Sequence, residues 1–353
     1  MVKTPFGEDA DRGCMEDSVL DLEDEDSGVT AEEAFGLLAN EIRLGILREL
    51  YEADEPLTFS ELRRRVEVPD SGMFNYHLEK LQGHFVRQTD EQVGDARADG
   101  GYELRYAGEQ VLRAVLSGVI GTDPVLEPVE IEEPCPFCGS PTEMSYRDEQ
   151  LTVRCTACPG VVGREFPHGT VMSYGFPPAG FRGRSPEEVV EAAHVLYDAK
   201  ITPMMNGVCP ECAGSVETSL EICPDHDDHG YGEGDVDDHA DGGLCETCET
   251  RFETWTRYTC RNCRYARTAM IWFELLLYPA IVSFYHEHLG LEKPVPFNKL
   301  TDENARFFRA IDEEVISRDP PRARVTVDGG DATLRVTVDE RLEVVDLRTI
   351  LEE

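Results

Sequence analysis

The sequence predicts an α+β multidomain chain, and three observations carry that prediction. Residues 30 to 120 hold a run of helix patterns closed by a hairpin pattern. The middle of the chain is punctuated by paired cysteines, and its end alternates apolar and polar residues with the period of strands. At 353 residues the length suits two or three domains. The 71 acidic and 33 basic side chains leave a net charge of −38, yet 41% of residues are hydrophobic. That apolar fraction excludes a wholly disordered acidic chain beyond residue 30.

Residues 1 to 29 are dense in Asp and Glu and read as an acidic disordered tail. No charged-then-apolar leader is evident, and Cys14 stands there as an isolated thiol. Thr30-Ala31-Glu32-Glu33 is a capping box that opens a helix with Phe35, Leu38, Ile42, Ile46, Leu47 and Leu50 inside. Thr58 and Glu61 take the N-cap and N3 places of a short helix whose inward residues are Leu62 and Val66. Pro69 cannot continue that helix, and Asp70 is a good N-cap for the next one. In this second helix Phe74, Leu78 and Leu81 form one apolar stripe, and Gly83 fits the C′ position that ends it. Its other face carries Ser71, Met73, Asn75, Tyr76 and Lys80. Strand patterns at 85–87 and 102–106 enclose a polar tip, Asp90 to Gly101, and make a wing. From Ala107 to Ile120 the residues Val111, Leu112, Val115, Leu116 and Val119 lie on one stripe, suited to a dimer seam or to packing on the same domain.

Two short helices at this spacing, followed by a wing, suit a helix-turn-helix that reads the major groove of double-stranded DNA. The candidate DNA contacts are Ser71, Met73, Asn75, Tyr76, His77 and Lys80, with Arg87 on the wing. The competing reading makes them the solvated face of a domain that binds only protein.

The stretches Leu38-Ala39-Asn40-Glu41-Ile42-Arg43-Leu44-Gly45-Ile46-Leu47 and Phe74-Asn75-Tyr76-His77-Leu78 resemble the ArsR-type winged helix-turn-helix regulators, particularly archaeal ones. The resemblance covers roughly a quarter of the chain. It implies a homodimeric, sequence-specific DNA binder with the helix from Asp70 as reader. Met73 departs from it, because such helices often carry a polar or basic residue there. Only five basic residues are Lys, and an acidic, Lys-poor surface matches proteins of haloarchaeal cytosol. About six phosphate contacts would lose on the order of 10⁶ in affinity between roughly 0.2 and 3 M salt. Affinity there must come from shape, hydrogen bonding and desolvation.

Cysteine organises the rest. Eleven of the twelve lie between 135 and 263, ten of them as CxxC pairs at 135/138, 155/158, 209/212, 245/248 and 260/263. Such pairs aim two thiolates at one tetrahedral ion, and zinc is the ion they suit. After a linker at 121–134, Cys135, Cys138, Cys155 and Cys158 flank a hairpin at 143–146 and 151–154, a zinc ribbon over 135–168. A redox dithiol is the alternative, and four thiols at ribbon spacing disfavour it. Residues 169–208 are a loop and a helix capped by Ser185, with Val189, Ala193, Leu196 and Tyr197 inside and His194 packed rather than ligating.

Residues 209–268 form a second, split module. Val216 to Ile222 and Phe252 to Tyr258 alternate as strands. Paired antiparallel, they nest an outer site, Cys209, Cys212, Cys260 and Cys263, around an inner one, Cys223, His226, Cys245 and Cys248, about 35 Å away. His229 or His239 is an alternative to His226. The rival pairing, 245/248 with 260/263, would fold the second strand back on itself. Three Zn²⁺ per chain follow.

Residues 269–318 read as helices. The apolar run Ala269 to Tyr285 is 17 residues long and interrupted by Glu274 and Pro279, so it reads as a buried or interface helix and not as a membrane span. His286 and His288 fall on different helix faces and receive no ligand role. Thr301 caps a further helix with Phe307, Phe308 and Ile311 inside. Residues 319–353 make an antiparallel β-meander of strands at 323–327, 334–338 and 342–347, with a Gly329-Gly330 turn.

The fold class is therefore a winged helix-turn-helix followed by zinc-ribbon-like modules, helices and a C-terminal β-meander. The expected function is a cytoplasmic transcription regulator with a zinc-stabilised sensing or assembly domain, its effector unnamed. The alternatives are a general factor resembling transcription factor E and a zinc-ribbon protein adaptor. An enzyme is not expected: no zinc site is matched with a general base, a Gly-rich phosphate loop or an activated nucleophile.

Overall fold

A computed structural model describes residues 29–89, 92–93, 96–97, 100–163, 165–226, 243–275, 278–290 and 310–351. The acidic tail with Cys14, most of the hairpin tip, His229, His239 and the segment from Thr301 to Phe308 lie outside the described residues. The chain divides between Thr122 and Asp123 into two compact units.

The first unit is built by its caps. Thr30 and Glu33 exchange hydrogen bonds at the start of helix α1 (Ala31–Leu38). The expected single helix to Leu50 is two, because the Asn40 side chain accepts the Arg43 N–H and starts α2 (Glu41–Tyr51) afresh. α1 buries no residue, and Phe35 is 74% exposed rather than inside. Thr58 caps α3 (Phe59–Arg65), but only half of the expected box forms: the Glu61 carboxylate accepts from Arg65 instead. Asp70 accepts the Met73 N–H and opens α4 (Ser71–Leu81), which ends at Gly83 with φ +82°. Phe74, Leu78 and Leu81 are buried against Ile46, Leu47 and Leu62, each contributing about 1.5–3 kcal/mol by leaving water.

Strand β1 (Val86–Gln88) pairs antiparallel with β4 (Tyr102–Leu104), and β2 (Gln92–Val93) with β3 (Ala96–Arg97). Leu57, ahead of α3, exchanges both backbone hydrogen bonds with Tyr102, a pairing that sequence reading missed. Helix α5 (Tyr106–Leu116) ends four residues before the expected Ile120. It sends Leu112 into the core but leaves Val115, Leu116 and, beyond it, Val119 and Ile120 exposed.

The second unit begins with a strand where a linker was expected. β5 (Leu126–Ile131) joins β6 (Thr142–Arg147), β7 (Gln150–Cys155) and β8 (Thr170–Gly175) in an antiparallel sheet of order β5-β6-β7-β8. β8 lies in the Gly/Pro-rich stretch read as loop. Helix α6 (Pro186–Met205), opened by the Ser185–Glu188 capping box, serves two cores. Val189, Val190 and Ala193 lie against Met144, Leu151 and Val153, and Ile201 and Met204 belong to the next core. His194 is buried, its ring edge-on to Tyr174 at 6.0 Å.

β9 (Val216–Ile222), β10 (Thr254–Cys260) and β11 (Ala266–Ala269) form a sheet of order β11-β10-β9. The apolar run after it breaks into α7 (Ile271–Leu275) and α8 (Pro279–Leu289), whose Trp272, Ile281 and Phe284 are buried. No described helix is long and apolar enough to cross a membrane. His288 meets Asp331 at 2.7 Å.

Instead of helix, residues up to 318 form strand β12 (Ile311–Arg318), which contains Ile311. It opens a four-stranded meander with β13 (Pro321–Asp328), β14 (Ala332–Val338) and β15 (Val344–Leu351). Leu342 sits in a turn at φ +65° rather than in the last strand. Val325, Val327, Leu334, Val336 and Val338 face the core, as their alternation predicts.

Candidate metal centres and nucleic-acid interface

The twelve ligand candidates come together as three sets of four: Cys135, Cys138, Cys155 and Cys158; Cys209, Cys212, Cys260 and Cys263; and Cys223, His226, Cys245 and Cys248. These are the groupings that the spacing predicts. Within each set the ligand atoms all lie within 4.8 Å of one another, so each set could hold a metal ion.

Four of the five CxxC turns share one backbone form. In the turns at Cys135, Cys209, Cys245 and Cys260 the first cysteine's N–H donates to the carbonyl five residues on. Its own carbonyl accepts from the residue after the second cysteine. That residue is left-handed each time: Gly139 (φ 72°), Ala213 (φ 56°), Glu249 (φ 54°) and Arg264 (φ 60°). Left-handed backbone disfavours three of these four residues, so the turn is held against local preference. Its product is a row of N–H groups aimed at sulfur: the Asn262 and Cys263 N–H groups lie 3.4 and 3.5 Å from Cys260 Sγ. Cys155–Cys158 departs from the form. Cys155 N–H donates to the distant Gly169 carbonyl, although the Ala157 and Cys158 N–H groups still face Cys155 Sγ at 3.3 Å, as at Cys260.

Four sulfur pairs stand at 3.4 Å (Cys138–Cys155), 3.5 Å (Cys212–Cys260), 3.6 Å (Cys209–Cys263) and 3.7 Å (Cys135–Cys158), and no ligand atom is more than 4.8 Å from another in its set. A zinc ion with ligand sulfurs at about 2.3 Å in a tetrahedron sets edges of about 3.8 Å. The donors therefore fit that ion. His226 presents Nδ1 to Cys248 Sγ at 3.5 Å, and the Thr250 hydroxyl touches the same sulfur at 2.9 Å. Gly214 packs closely at the outer set: a Cβ there would stand 2.9 Å from Asn262 Cβ and 3.2 Å from both Cys212 and Cys260 Sγ.

Crowded thiols share protons unevenly. The Cys135 thiol donates to Cys158 and pulls it down to about 5, while Cys135 itself is driven up. Burial pushes Cys155 up to about 11 and Cys223 up to about 12. The Gly214 N–H leads the groups that lower Cys212 to about 6. An ion that replaces these protons is bound more weakly as pH falls.

One expected dimension changes. β9 and β10 pair from Ile222↔Thr254 to Val216↔Cys260, seven residues rather than eleven. The hairpin between outer and inner sets is thus about 20 Å long and not 35 Å. Phe252 leaves the strand to pack with Trp255 and Val161.

On α4, Ser71, Met73, Asn75, Tyr76 and Lys80 are all exposed. Asn75 donates to Glu79 at 2.7 Å, and Lys80 stands 5.9 Å from the Tyr76 ring. His77 turns partly inward, and burial, then Arg43, lowers its pKa. Arg87 pairs with Glu103 across the hairpin. Sequence reading missed the basic end of α3, although Arg63-Arg64-Arg65 was the available signal. Arg63 reaches the Pro69 carbonyl and Arg65 pairs with Glu61, whereas Arg64 is exposed.

Residues 31–115 match a domain of unknown function (DUF7347). No curated protein matches the chain. Residues 132–344, more than half of the chain, match a second domain of unknown function, and the chain therefore belongs to the DUF7351 family.

Proposed function

We propose that the chain is a DNA-binding transcription regulator in which residues 30–120 act as a winged helix-turn-helix and three zinc ions hold a sensing or assembly domain. The observation that carries the reading is α4. One side of it, Phe74, Leu78 and Leu81, is wholly buried, and the other presents Ser71, Met73, Asn75, Tyr76 and Lys80 to solvent. A helix so anchored, set after α3 and before a hairpin, offers a rigid polar and aromatic edge of the kind that enters a major groove. Arg64 and Lys80 would contact phosphates. Arg87 is held by Glu103, and His77 supports the helix more than it reads bases. The exposed Val115, Leu116, Val119, Ile120 and Phe35 support a homodimer.

Zinc is the reading of the three ligand sets because Cys₄ and Cys₃His are its structural donor sets, closed to substrate. In the outer and inner sets the ion would also fix turns whose backbone is otherwise unfavourable, at Ala213, Arg264 and Glu249.

The test uses the full chain at molar KCl with DNA selected from a random pool. Asn75 must release Glu79 to reach a base, and Asn75→Ala and Tyr76→Ala should each cost about 1–3 kcal/mol of discrimination against mismatched sites with unchanged melting. Selection that enriches no sequence, or both variants binding as the parent does, refutes the reading.

A further inference from the structure

Water reaches the three ligand sets unequally. Cys135, Cys155, Cys158, Cys223, Cys245 and Cys248 are buried, whereas Cys212 and Cys263 are exposed. The first and inner sets also brace each other. Val162 pairs with Thr250, and the Gly163 N–H donates to the Glu249 carbonyl. Arg251 donates to the Gly160 carbonyl and lies 4.8 Å over the Phe137 ring. In the outer set Cys209 and Cys260 are buried, but beside the exposed Cys212 stand Asn262, with Nδ2 3.6 Å from Cys212 Sγ, and Gly214, which has no side chain to shield it.

We propose that the outer set, Cys209, Cys212, Cys260 and Cys263, is an oxidation site, at which a peroxide forms a disulfide between the two turns and releases that set's zinc ion while the other two stay. The inference rests on the zinc reading above. An exposed thiolate, Cys212 or Cys263, attacks the peroxide O–O bond, displaces hydroxide and becomes a sulfenic acid. The thiolate behind it, Cys260 at 3.5 Å or Cys209 at 3.6 Å, displaces the second hydroxide and closes the S–S bond. Two protons turn both hydroxides into water. Two thiolates have then lost two electrons to one peroxide, and the ion leaves its two remaining ligands.

The outer set sits where α6 meets β9. Val208 pairs with Ser215, the Val216 N–H donates to the Gly207 carbonyl, and Lys200 of α6 meets Glu211 between the cysteines. Oxidation would therefore act on the end of the helix that both cores share.

Zinc-loaded full chain titrated with hydrogen peroxide, with ions counted by native mass spectrometry and disulfides mapped on peptides, tests this. One ion of three should leave at an about tenfold lower dose than the rest. The accompanying disulfide should be Cys212–Cys260 or Cys209–Cys263, and a dithiol with added zinc should restore three ions. A Cys212→Ser, Cys263→Ser double variant should hold two ions that withstand this dose. Should that variant not fold, thiol alkylation of the parent during titration reads the same order. Loss of all three ions together, first loss from a buried set, or no loss overturns the proposal. Fewer than three ions before peroxide refutes the zinc reading itself.

Discussion

Up to Thr122 the described chain is cored by apolar side chains from three helices and a hairpin: Ile46, Leu47, Leu62, Phe74, Leu78 and Leu81, with Val86 of β1, are buried. From Asp123 on, three- and four-stranded sheets carry apolar cores of their own, but the ends of two of their strand pairs, β6 with β7 and β9 with β10, run into turns that converge on sulfur. Cys223, Cys245 and Cys248 form a buried cluster of their own, apart from the apolar cores. Helical periodicity can fill a core with no help, because a 3.6-residue repeat already aims its stripe at one place. The turns at the ends of a strand pair cannot, since they bury too little to offset the entropy of ordering them. The first unit should therefore stand by packing alone and the second by packing plus metal.

The largest expected effect follows directly. Chelation of the zinc ions should collapse the two ribbon-like modules and leave the helices between Ala31 and Leu116 folded, since structural zinc contributes about 10–16 kcal/mol in small peptides. Circular dichroism with limited proteolysis checks it: cleavage should move into residues 132–270 and spare α2 to α5. Equal cleavage of both units would erase the contrast. Acidification should mimic the chelator, because ligand thiols that regain protons release the ion.

A smaller effect sharpens the other side. Leu78→Ala should cost the helical unit about 2–5 kcal/mol through the cavity it leaves. Thermal melting should show the loss, while native mass spectrometry still counts the same ions. A change in ion count would mean that the two units do not stand separately.

The smallest lies inside the second unit. Thr254 donates to Glu313 Oε2 at 2.6 Å, whereas Oε1 is shut off from water without a hydrogen bond among the described residues. Burial pushes this carboxyl up to about 8. Its folded-state value is above the unfolded one, so the stability it contributes is present below about 4.5 and lost as pH rises to about 8. Glu313→Gln should then stabilise the unit by about 1–3 kcal/mol at pH 8 and less at pH 6, measured by denaturant titration. An equal gain at both values would assign the effect to something other than ionisation.

Which residues cap, which stripe is buried and which cysteines share a site were legible because each is a local or pairwise property. Asp70, Thr30 and Ser185 cap by reaching three residues ahead, and Phe74, Leu78 and Leu81 meet by helical repeat. The nested ligand sets follow from two nearly equal spacers, ten residues between Cys212 and Cys223 and eleven between Cys248 and Cys260. Legibility failed where a neighbour distant in sequence completes the element. β5 reads as a Pro- and Glu-rich linker until β6 supplies its hydrogen bonds. β8 needs β7, and Ile311 becomes strand rather than helix because β13 lies beside it. The same limit hid the exposure of Phe35, since periodicity states which residues share a face but not whether anything covers that face. The unequal access to the three metal sites is likewise tertiary: every ligand pair has the same two-residue gap, and it is contacts such as the bridge from Val162 to Thr250 that bring the first and inner sets together, while Cys212 and Cys263 of the outer set stay exposed.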